Sequence, residues 1–97
     1  PLISAQRELL EETGYGNGNW QEYMVISPNP STHTNITYCF LATDVELISS
    51  QHLEDTEDLT VHLFTLEEVK QLLLDNEIIQ SLHAAPLWKY IAEQRLT

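Results

Sequence analysis

Apolar and polar positions change period several times along the chain, and each change marks a predicted element. In residues 3 to 13 (ISAQRELLEET), Ile3 and Leu10 fall on one side of a helical wheel and Leu9 on its flank. Glu8, Glu11 and Glu12 fall on the other side, the pattern of an amphipathic helix. Ser4 is a candidate cap, and Gly14 stands where a left-handed residue ends a helix. Gly16-Asn17-Gly18-Asn19 is a turn cluster, and Trp20 to Ile26 is rich in strand formers. Residues 27 to 35 read as a proline-containing loop. Ile36 to Asp44 reads as a strand apolar enough to be buried on both faces. Residues 49 to 59 are a polar, acidic loop, after which Thr60 to Thr65 alternates as a third strand.

Thr65-Leu66-Glu67-Glu68 has the form of a capping box and opens a helix through about Leu74. Asp75-Asn76-Glu77 breaks it. Ser81 opens a last helix to about Gln94, in which Pro86 marks either the start or a bend. Leu66, Val69, Leu72 and Leu73 follow helical spacing and read as core. Leu82, Leu87, Trp88 and Ile91 read as core or as a partner surface.

The predicted order is one helix, three strands and two helices, without internal repeat. That order fits an α/β fold, a mixed sheet with helices on both faces. Three strands are few against the usual five or six or so of a sheet. The chain also opens at Pro1 without a methionine. Both observations predict one partial domain over residues 1–97, missing N-terminal strands. Such a domain would pair with a lost N-terminal piece or with a second copy, because an incomplete sheet exposes unpaired edges.

Charge narrows the function. The chain has 15 acidic and 4 basic residues, a net charge of −11. Lys70, Lys89, Arg7 and Arg95 are scattered, so no basic patch exists to neutralise nucleic-acid phosphates. No apolar run reaches the length of a membrane span. A lone cysteine, Cys39, excludes an internal disulfide and points to a reducing, cytoplasmic setting. Its mid-strand position reads as a small buried side chain. His33, His52, His62 and His83 are too dispersed to form a metal-ligand pair.

The chemistry-bearing stretch is Arg7-Glu8-Leu9-Leu10-Glu11-Glu12-Thr13-Gly14-Tyr15. The spacing i, i+3, i+4 gathers three carboxylates on one helix face. Like charges so placed destabilise a helix by about 0.2–0.5 kcal/mol per pair. Two of the three also stand in the last turn, at the negative end of the helix dipole. A solvated acidic face is the ordinary reading of such spacing. A hard divalent cation with oxygen ligands would offset the charge.

The order of residues adds to this. The stretch resembles the second half of the Nudix box, R-E-U-x-E-E-x-G-U with U apolar. Arg7, Glu8, Leu9, Glu11, Glu12 and Gly14 match its six fixed positions, and Tyr15 fills the last apolar one. The initial glycine and first glutamate of the box would precede Pro1. The resemblance implies a Nudix-type α/β/α sandwich and hydrolysis of a nucleoside diphosphate linked to another moiety. It implies Mg²⁺ or Mn²⁺ held by Glu8, Glu11 and Glu12, one of them acting on the attacking water. Arg7 would orient a carboxylate, and Gly14 would allow the turn out of the helix. Sugar-nucleotide members, ADP-ribose pyrophosphatases among them, are similar beyond the box. Pro28 and Pro30, the strand at Ile36–Asp44 and the acidic run Asp55-Thr56-Glu57-Asp58 follow that layout, which would make Glu57 a further catalytic carboxylate. A dinucleoside polyphosphate or a damaged nucleotide is an alternative substrate. A Nudix-like nucleotide-binding or regulatory module without catalysis is the alternative from another class.

Overall fold

A computed structural model describes residues 1–27, 35–51 and 59–96. Among them are three helices and four strands: α1 (Leu2–Thr13), β1 (Tyr15–Gly16), β2 (Asn19–Ile26), β3 (Thr37–Thr43), β4 (Glu46–Leu47), α2 (Leu66–Leu74) and α3 (Ser81–Leu96). The mixed α/β class is the expected one. Two short ladders carry the strands, β1 with β4 and β2 with β3. The first is antiparallel, pairing Tyr15 with Leu47 and Gly16 with Glu46. The chain divides into two compact units, Pro1–Tyr23 with Phe40–His62, and Met24–Cys39 with Leu63–Thr97.

In the first unit, α1 begins at Leu2 with Pro1 at the cap position, and the Ala5 amide donates to the Pro1 carbonyl at 2.9 Å. Ser4 therefore lies inside the first turn and caps nothing. The helix ends as its sequence predicts. Gly14 takes the left-handed conformation (φ 82°) and its amide donates to the Leu10 carbonyl at 2.8 Å. The turn after β1 reverses through two left-handed residues, Asn17 (φ 57°) and Gly18 (φ 81°). Asparagine tolerates that region better than most side chains. A Cβ on Gly18 would stand 2.5 Å from the Thr43 carbonyl oxygen, so the position needs glycine on contact grounds too.

In the second unit, Thr65 and Glu68 form a reciprocal capping box on α2. The Glu68 amide donates to Thr65 Oγ1 at 3.2 Å, and the Thr65 amide donates to Glu68 Oε1 at 2.8 Å. Those bonds hold the Glu68 carboxyl below its usual pKa, the Thr65 backbone N–H contributing most and its hydroxyl next. The helix stops at Asp75, and Asn76 turns the chain at φ 58°. Leu73 and Ile91 are the buried hydrophobics among the described residues, 4% and 3% exposed. Both belong to this unit, one on α2 and one on α3.

Several expectations need correction. Thr60–Thr65 forms no strand: its alternation is real, but a strand requires a ladder for its backbone, and none pairs with it among the described residues. Leu63 and Phe64 are accordingly exposed. β3 is not buried on both faces, since Tyr38 and Ile36 just before it lie open. Ile3 on α1 is 82% exposed, while Leu9 and Leu10 nearer the β1 end are half-covered. Of the α2 positions read as core, Leu66 is exposed, and Val69 and Leu72 are half-buried. Helix α3 opens at Ser81 as expected, so Pro86 does not mark its start. It runs through the proline from Ser81, which removes one main-chain hydrogen bond.

Candidate active site

Helix α1 presents its carboxylates unequally. Glu8 and Glu11 are exposed, whereas Glu12, nearest the Gly14 stop, is half-buried. Arg7 Nε lies 3.9 Å from Glu11 Oε1, one helical turn away, and both side chains are largely in solvent. A pair of that geometry contributes a few tenths of a kcal/mol, roughly. It turns Glu11 toward Arg7 without holding it rigidly.

What holds the end of α1 is a segment distant in sequence. The Gly14 carbonyl accepts from the amides of Ile48 (2.9 Å) and Ser49 (3.2 Å). A Cβ on Gly14 would collide with the Ser49 carbonyl oxygen. Gly16 is similarly enclosed, a Cβ there meeting Ile48 Cδ1 at 2.7 Å. Thr13 Oγ1 donates to the Leu9 carbonyl at 2.6 Å and accepts from the Tyr15 amide at 3.1 Å, closing the last turn from inside. Gln51 Nε2 donates to the Glu12 carbonyl at 2.7 Å and to the Leu59 carbonyl at 3.3 Å. Helix ends leave carbonyls without helical partners, and these contacts supply donors to that end of α1.

The turn beyond β1 is latched by side chains. Asn17 Nδ2 donates to Glu46 Oε2 at 3.2 Å, and Asn19 Nδ2 to Asp44 Oδ2 at 3.3 Å. Trp20 Nε1 donates back to the Asn17 carbonyl at 2.8 Å. Glu46 and Asp44 are thereby engaged in holding the turn. Trp20 spends its N–H there as well.

The donor set on α1 fits a hard divalent cation in its chemistry. Carboxylate oxygens are what Mg²⁺ or Mn²⁺ takes, and Mg²⁺ is commonly held by one or two carboxylates with water and phosphate completing its sphere. Among the described residues, no three His, Cys, Asp or Glu side chains lie together as a ready-made metal cage. The helix thus offers carboxylates singly or in pairs, and a phosphate-bearing ligand would complete the sphere. Glu57 and the acidic run around it, Pro28, Pro30 and His33 lie outside the described residues.

Cys39 on β3 is half-buried, and desolvation pushes its thiol pKa up, which lowers its thiolate fraction at neutral pH. Within the second unit a cavity of about 340 Å³ is lined by Phe64, Leu66, Val69, Leu87, Tyr90 and Ile91. Its lining offers no acidic or basic group. No described helix is long and apolar enough to cross a membrane.

The spacing read from the sequence places Arg7, Glu8, Glu11 and Glu12 together on α1 with Gly14 at its end, and Asn17 and Asn19 in a turn, but it gives no sign of Gln51 or β4. No local signal marks Gln51, whose partner Glu12 is 39 residues away.

An α/β domain with a carboxylate-bearing helix that stops at a glycine is thus defined by its fold and local geometry. The NUDIX domain family profile matches residues 1–85 of the 97, and the chain belongs to that family. The family's enzymes hydrolyse pyrophosphate bonds and generally use divalent metals. No curated protein matches the chain significantly.

Proposed function

We propose that the chain belongs to a pyrophosphohydrolase cleaving a nucleoside diphosphate linked to another moiety, with ADP-ribose or a similar sugar nucleotide as substrate. The observation that carries this reading is the carboxylate face of α1, ending at a glycine that residues 48–49 clamp, within a family match over residues 1–85. The sugar-nucleotide assignment is supported by the layout after the box: the prolines at 28 and 30, the strand at 37–43 and the acidic run carrying Glu57.

Glu8, Glu11 and Glu12 would contribute carboxylates, singly or in pairs, to Mg²⁺ or Mn²⁺, which when bound supplies charge stabilisation to the pyrophosphate and acidifies water. Arg7 orients Glu11 through their ion pair. The Glu12 carbonyl, in the last turn of α1, accepts a hydrogen bond from Gln51 Nε2. A glutamate of this face takes a proton from the attacking water as oxygen bonds to one phosphorus. The bridging P–O bond then breaks and the other phosphate leaves with its electron pair. Glu57 is assigned as a further carboxylate for this chemistry. The lone Cys39 supports a cytoplasmic setting, and the exposed apolar side chains support pairing with a second copy or an upstream segment.

The test is Mg²⁺-dependent release of AMP and ribose 5-phosphate from ADP-ribose. It is run with and without Mg²⁺, with activity expected only when the metal is present. Glu12→Gln should reduce kcat by at least about 100-fold, the scale of losing a general base. Hydrolysis that survives Glu12→Gln unchanged would refute the assignment. So would binding of ADP-ribose without any turnover.

A further inference from the structure

We infer that Gln51 is the positioning residue of the carboxylate face. It fixes the backbone of Glu12 and thereby the affinity of that face for a divalent cation. The inference rests on the function proposed above.

The C-terminal end of α1 has an electrostatic conflict. Its last turn contains no basic residue and carries Glu11 and Glu12. Helix ends of this kind are commonly stabilised by Lys or Arg, which donate to the last carbonyls and offset the dipole. A cation from the protein would here pair with Glu12 and compete with a bound metal. Gln51 resolves the conflict with a neutral amide. Its nitrogen carries two N–H donors and no charge. They go to two main-chain carbonyls, Glu12 at 2.7 Å and Leu59 at 3.3 Å.

The two contacts also determine which way the amide faces. Reversing it would point its oxygen at two carbonyl oxygens, so the nitrogen must occupy this side. Gln51 is half-buried and Glu12 is the half-buried carboxylate of the three. The amides of Ile48 and Ser49 already grip the Gly14 carbonyl two residues further on. Those two contacts fix where the chain leaves the helix. The Gln51 contact fixes the turn that carries Glu12 itself. It is a side-chain bond from outside α1 that reaches the main chain of a carboxylate residue. A group that orients a ligand without touching the metal typically changes metal affinity by about 10–100-fold.

Two variants separate the positioning role from a general loss of fold. Gln51→Met keeps the side-chain length and removes both donors. Gln51→Glu keeps the shape and points oxygens at the two carbonyls. The probe is Mn²⁺, titrated calorimetrically and by the loss of its free-ion EPR signal, in the absence of substrate. Titrations are run at a temperature where far-UV circular dichroism shows the helices intact in every variant. We expect Gln51→Met to weaken Mn²⁺ binding about tenfold and Gln51→Glu to weaken it at least as much. Gln51→Lys restores a donor but adds a charge. It should recover thermal stability while leaving Mn²⁺ binding weak, a split that a merely structural role would not produce. Mn²⁺ binding that depends on Glu12 yet is equal in wild type and both donor-less variants would overturn the role of Gln51 alone. Absence of Mn²⁺ binding in wild type would overturn this inference together with the metal-dependent function.

Discussion

Replacing Gly14 by alanine perturbs one residue and should disturb the whole end of the carboxylate helix. Two costs add. An L-residue held at φ 82° loses about 1–2 kcal/mol to the clash between its Cβ and the following carbonyl. The new Cβ also collides with the Ser49 carbonyl oxygen, so residues 48–49 must retreat. Retreat weakens two hydrogen bonds to the Gly14 carbonyl, each worth roughly 0.5–1.5 kcal/mol net. The total is about 2–5 kcal/mol, a large part of the roughly 5–15 kcal/mol that stabilises a typical domain. For a domain near this size, each kcal/mol lowers Tm by about 4–8 °C, so a loss of at least about 8 °C is expected in a thermal melt. Gly14→Asn divides the two costs. Asparagine tolerates the left-handed region, but its Cβ meets the same oxygen. It should therefore recover only the backbone part. A Gly14→Asn protein that melts with wild type would refute the steric argument. A Gly14→Ala protein within about 2 °C of wild type would refute both.

Four further outcomes are expected. Ile91→Ala, at a site 3% exposed, should cost about 2–4 kcal/mol in a denaturant titration without altering the carboxylate helix. Thr65→Ala removes the side-chain half of the capping box and should cost about 1 kcal/mol. Because the Glu68 pKa is lower in the folded chain than in the unfolded one, its contribution is fully present above the ordinary carboxylate range. It is lost as pH falls through the lower folded value, so acid should erase the stability difference between wild type and Glu68→Gln. Cys39, its pKa raised by desolvation, should react with iodoacetamide more slowly than an unhindered thiol at neutral pH. Its rate should still be rising at pH values where an ordinary thiol has levelled off.

Local physics explains what could be read from the residues alone. The carboxylate face of α1, its stop at Gly14 and the capping box of α2 depend on neighbours three or four positions away. Periodicity and residue type suffice for such features. The family motif is legible for the same reason, because Arg7, Glu8, Glu11 and Glu12 lie within two turns of one helix. Tertiary structure decided everything that needs a distant partner. Alternation at Thr60–Thr65 promised a strand, but no ladder among the described residues receives it. Ile3 has the right spacing for a buried face and lies 82% exposed, because burial requires something to pack against it. β4 is two residues long and exists only as the partner of β1. Gln51 is an unremarkable polar residue in the sequence. It reaches the helix end because the ladder between Tyr15–Gly16 and Glu46–Leu47 brings the following residues alongside Gly14. The kind of chemistry was therefore written in short-range spacing, and the anchoring of the helix that carries it was decided by contacts spanning more than thirty residues.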